Sequence, residues 1–153
     1  ALALFGLALA QHRAGDAEAA LAAAREAIAL DPLADDPEHF EVHDRWGALG
    51  ALHHPAVFFE PACEIHGYHA VAYEAFATSR ERFRRAGLEA ALTSWRSFLV
   101  EGGAASRFAA HARAQIARLE AELARASAPR EQHAAHIGDP GARAAREPWL
   151  GAP

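Results

Sequence analysis

The residues best equipped for chemistry are gathered between His39 and His69. His39 and His43 are four positions apart, His53 and His54 are adjacent, and Cys63, His66 and His69 follow. Imidazoles at i and i+4 share one helical face and can converge on a metal ion, and a thiolate with two imidazoles suits a tetrahedral zinc site. His39, His43, Cys63, His66 and His69 are therefore the ligands that a metal-binding or enzymatic reading would use. The pattern is not the metalloprotease motif, because His39-Phe40-Glu41-Val42-His43 lacks the glutamate that must directly follow the first histidine to act as base. A Cys/His hydrolase would need Cys63 beside His66 or His69 with a third, orienting group, and no nucleophile context surrounds it. The plainer expectation is an irregular, half-buried connection in which Cys63 is a small buried hydrophobe. No cofactor is expected.

A second cluster, Arg80, Arg82, Arg84 and Arg85, is interleaved with Glu81 and Phe83. On a helix it suits either the grip of an acidic partner segment or a solvated face with Glu81 and Arg85 spaced for an ion pair. Gly102-Gly103 has neither a following lysine nor a preceding strand, so no phosphate loop is present. A formal net charge of -5 gives no global attraction to nucleic acid. No apolar run reaches the ~18 residues that suggest a membrane span. One cysteine excludes an internal disulfide.

The chain has 153 residues, 52% hydrophobic and 23% charged, which is a globular composition with room for one modest core. All 15 basic residues are arginine, and lysine, methionine and asparagine are absent, a bias that suggests a GC-rich bacterial genome. Without methionine, the chain is expected to be processed or part of something longer. Ala1–Ala10 has the apolar character of a secretory signal core, with a cleavage point before Gln11, but no positive region precedes it and its pattern runs on in helical register.

Two helices are expected first. Leu4, Leu7, Ala8 and Gln11 form one stripe, and Leu2, Phe5, Leu9 and His12 form another. Gly15 suits a left-handed C-cap and Asp16 the next N-cap. Ala20, Leu21, Ala24, Ala27 and Ile28 restore the helical period until Leu30-Asp31-Pro32 stops it. In Leu4, Leu7, Ala8, Gln11, Ala20, Ala24 and Pro32, with Gly15 at the turn, this hairpin resembles one tetratricopeptide repeat. Gln11 and Ala24 stand where that family has aromatics.

The resemblance implies an all-α helical-hairpin solenoid, since one hairpin cannot bury both its faces. Trp46-Gly47-Ala48-Leu49-Gly50-Ala51-Leu52-His53 repeats the opening of the pattern, and a further helix can start only near Pro61. Arg85-Ala86-Gly87 echoes Arg13-Ala14-Gly15, and Glu89-Ala90-Ala91-Leu92 echoes Glu18-Ala19-Ala20-Leu21. Three irregular repeats are thus expected, at about 1–34, 36–67 and 68–103. A capping helix at about 105–126 would follow, lined by Phe108, Ala112, Ile116, Leu119 and Leu123 with Arg113, Arg118, Glu120 and Glu122 opposite, and then a Pro/Gly/Arg-containing tail over 127–153.

What the resemblance implies about function is non-catalytic binding of another protein or peptide on a concave helical surface, as a scaffold or assembly subunit. Leu2, Phe5, Leu9 and His12 would occupy that surface, with Arg80 and Arg84 at its rim. A competing expectation is a structural subunit whose apolar helices are buried in a larger complex.

Overall fold

A computed structural model describes residues 1–30, 47–79 and 81–127. Among the described residues, five α-helices and two short 3-10 segments account for the regular structure, with no strand.

α1 spans Leu2–Ala14 and α2 spans Ala17–Ala29. The turn between them is made as its residues dictate. Gly15 takes φ 90°, its amide and that of Asp16 close back onto the His12 and Gln11 carbonyls, and Asp16 Oδ1 accepts the Ala19 amide at 3.1 Å. Ala20, Ala23, Ala24 and Ala27 give α2 a small, buried face that lets it lie close to its neighbours.

The expected second repeat is described only in part. Its residues 36–46 lie outside the described residues. Gly47–His53 is a 3-10 helix bent at Leu49, which buries Leu49 and Leu52, and turns continue to Cys63. α3 then runs unbroken from Glu64 to Ser79, across the boundary expected between the second and third repeats. The described residues form two pairs of packed helices followed by a last helix.

α4 spans Glu81–Val100, so the Arg85-Ala86-Gly87 echo sits inside a helix. The physical reason is packing. A β-carbon on Gly87 would stand 2.8 Å from both Ala77 Cβ and the Tyr73 carbonyl oxygen, so this glycine admits α3 against α4 and has no role in ending a helix. One tripeptide thus serves as a cap at Gly15 and as a helix crossing point at Gly87.

A 3-10 turn at Gly103–Ala105 leads to α5, Ala109–Ser127, whose start is organised by Ser106: its hydroxyl accepts the Phe108 amide at 3.1 Å and its carbonyl the Ala109 amide. α3 packs on α1, α2 and α4, and α5 packs on α4. The core is continuous through Phe5, Leu9, Val71, Phe76, Trp95, Phe98 and Leu119. Burial of each large side chain contributes about 1.5–3 kcal/mol. The expected α5 stripe turns inward, with Ala112 and Leu119 fully buried. Arg118 departs from its expected place on the solvated side and reaches back to Glu74.

Candidate functional site

Two features have the geometry of a functional site: an open groove beside α1 and a buried polar cluster beneath it. The groove consists of two adjoining depressions of about 540 and about 450 Å³ that share Arg13, Tyr68, Arg107 and Phe108. Its floor follows from α1, where Leu2, Gly6, Ala10 and Ala14 recur at helical spacing and keep the surface low with small side chains. Val57–Pro61 forms the opposite wall, where Phe59 packs against Tyr68 and Phe58 stands 88% exposed.

Charge is distributed unevenly along it. The Arg13 guanidinium lies 3.7 Å over the Phe108 ring and 2.8 Å from Glu64 Oε2, so it is already neutralised. Arg107 is exposed, flanks the same ring at 4.7 Å, and forms no ion pair with any described carboxylate. Phe108 therefore holds two guanidinium groups about its ring, an arrangement in which the aromatic quadrupole favours the cations. Glu60 and Glu64 line only the larger depression. The smaller end, over Gly6, Ala10 and Ala14, has arginine as its only charged lining.

Below the groove, α1, α3, α4 and α5 bring five polar side chains together. His12, 4% exposed, stacks on Trp95 with centroids 5.6 Å apart. Its Nδ1 lies 3.0 Å from His111 Nε2, and its Nε2 lies 3.6 Å from Glu74 Oε1. Trp95 Nε1 donates to Glu74 Oε1 at 3.4 Å, and Arg118 donates to Glu74 Oε2. Burial alone would raise the Glu74 carboxyl; the His12 ring and the Arg118 guanidinium outweigh it and hold the group below the usual carboxylate range. His111 is displaced downward, first by burial and then by the His12 and Arg13 charges.

A scan against known family models, curated proteins and solved structures finds no match.

The residues singled out in the sequence are placed as follows. Phe5, Leu9 and His12 are buried in the chain's own core, and of the expected concave stripe Leu2 and Leu9 line the groove. α2 and α3 pack on α1, and His12 lies against Trp95 and His111. Arg84 pairs with Glu122 at 2.8 Å, and Arg85 pairs with Glu89 in place of the expected Glu81. Arg80, His39 and His43 lie outside the described residues. Cys63 is buried, His66 Nε2 sits 2.8 Å from Glu101 Oε2, and His69 Nε2 lies 2.9 Å from His53 Nε2. Burial, reinforced by His53 and His66, presses His69 down to about 3. Among the described residues no group of three or more His, Cys, Asp or Glu is placed to hold a metal ion. No helix there is long and apolar enough to cross a membrane.

Sequence reading missed Tyr68, Arg107 and Phe108 as groove residues, and it missed Glu74 and His111 altogether. A charged residue within the otherwise apolar run Ala70–Ala77 was the signal available for Glu74.

Proposed function

We propose that this chain is a non-catalytic protein-interaction module of degenerate tetratricopeptide type, which receives a short extended segment of a partner protein in the groove along α1. Two consecutive helical hairpins closed by a last amphipathic helix are what a two-unit array with a cap would contain. The observation that carries the reading is the groove itself: a low floor of small residues, aromatic walls with Phe58 at the surface, and at its basic end Arg107, which pairs with none of the described carboxylates.

The occupant follows from that lining. A large apolar side chain fits against Phe58, Phe59 and Tyr68, and a carboxylate fits beside Arg107 over the Gly6–Ala14 floor. Affinity comes from apolar burial and selectivity from the guanidinium.

Selection of a random displayed-peptide library on the purified chain tests this. Recovered peptides are expected to pair an acidic with an aromatic or large aliphatic residue, and Arg107→Glu is expected to weaken them about ten-fold or more, the scale of one rim charge reversed beside a carboxylate. Recovery of no binders, or of binders indifferent to Arg107→Glu and Phe58→Ala, would refute it.

A further inference from the structure

Apolar burial holds α5 near both ends, through Ala112 and Leu119, and the polar links differ between the ends. Toward its C-terminal end, Arg84 pairs with Glu122 and Arg96 with Glu120, while Leu119 is fully buried. Near its start, two contacts join it to α1: the imidazole pair, with His12 Nδ1 and His111 Nε2 3.0 Å apart, and the Arg13 guanidinium over the Phe108 ring. Ser106, Arg107 and Phe108, which border the groove, lie immediately before that end.

A contact between two ring nitrogens requires that one donate and the other accept. The pair accommodates one added proton, because His12 then presents one N–H to Glu74, 3.6 Å away, and the other to His111. A second proton, on His111, sets N–H against N–H. The charged groups facing the pair do not absorb it. His12 and Arg13 approach from α1 and Arg118 from α5, against the single carboxylate Glu74 from α3; α4 contributes the uncharged Trp95. Glu74 already serves Arg118 and Trp95.

We propose that the His12–His111 pair is an acid-sensitive latch that holds the first turns of α5, and with them the Ser106–Phe108 wall of the groove, against α1. At neutral pH the pair shares its hydrogen bond and the wall stays in place. When both imidazoles are protonated the start of α5 separates from α1, while its far end stays anchored on α4. Release of a bound segment on acidification is the consequence for the groove, and that consequence rests on the reading of the groove given above.

Amide hydrogen exchange on the full chain, at about pH 7.5 and about pH 5 and corrected for intrinsic rates, tests the latch without any partner. Exchange at 107–113 is expected to accelerate about ten-fold in acid, the effect of one such protonation, with far less change at 119–125. His111→Gln, which keeps a neutral hydrogen-bonding side chain, is expected to abolish the difference. If that variant does not fold, His111→Phe, which keeps the ring against Trp95, replaces it. The inference is overturned by unchanged exchange at 107–113, by acceleration spread evenly over all helices, or by acceleration that survives in the variant. The His53–His69 pair also responds to acid, but its effect belongs to α3 and the 3-10 helix before it, and the readout at 107–113 separates the two.

Discussion

Gly87 on α4 and Ala77 on α3 touch so closely that no side chain fits between them: a β-carbon at 87 would lie 2.8 Å from Ala77 Cβ. Gly87→Ala is therefore expected to destabilise the chain. Better helix propensity is worth about 1 kcal/mol in its favour, and forcing the crossing apart costs about 1–3 kcal/mol against it. Gly6 is the opposite case, with nothing within 4 Å of its β-carbon position. There, Gly6→Ala is expected to stabilise by about 0.5–1 kcal/mol. Urea denaturation of the two variants checks both signs, and a stabilised Gly87→Ala contradicts the packing argument.

Glu74, 6% exposed, is the acceptor on which Arg118 and Trp95 converge. Glu74→Ala strands the buried Trp95 N–H and leaves His12 without its neighbouring carboxylate, for an expected loss of about 2–4 kcal/mol. Arg118→Ala is expected to cost clearly less, because its side chain is 41% exposed and its charge is partly solvated already. Equal losses in denaturation midpoint would contradict the picture of Glu74 as the shared centre.

His69 sets a pH dependence of stability. Its native value is pressed from 6.5 to about 3, by burial first and then by His53 and His66, so the unfolded chain binds the proton more readily. Its stabilising contribution is complete above 6.5 and is lost as pH falls toward 3. The limiting slope is about 1.4 kcal/mol per pH unit for one such group. Glu74 adds its own loss only below 4.5, so the interval between 6.5 and 4.5 isolates the histidines. Denaturation midpoints across that interval are expected to fall less steeply in His69→Gln; an unchanged slope contradicts the assignment.

Cys63 is 1% exposed, and burial, with Glu64 beside it, pushes its thiol up. Reaction of the native chain with a disulfide reagent near neutral pH is expected to be slower than that of the urea-unfolded chain by about a hundred-fold or more, because both access and the thiolate fraction are reduced. Comparable rates in the two states contradict the burial.

The first hairpin was legible because its signals are local. Gly15 and Asp16 are adjacent, their backbone chemistry is fixed by residue type, and the apolar stripes on either side keep a helical period. The α5 stripe was legible for the same reason. The second turn was not, since Arg85-Ala86-Gly87 looks the same in sequence whether glycine ends a helix or admits another, and only the approach of Ala77 decides between them. The polar cluster was hidden by distance along the chain: His12 and His111 are 99 positions apart, and no local pattern relates them. His12 also completed an apolar stripe, which is why it was expected on a binding surface and lies in the core instead. Groove residues such as Tyr68 and Phe108 carry no periodic mark of their function, because a groove is a property of three segments meeting.

The measurement closest to the central claim is amide shift mapping on the isotopically labelled chain, titrated with a peptide recovered by selection. The account predicts that perturbed amides concentrate at 6–14, 57–61 and 106–108, and that Arg107→Glu weakens the titration while leaving the spectrum of the free chain folded. Perturbations confined to the outer faces of α2 or α4, with Arg107→Glu binding as tightly as the parent, would contradict it.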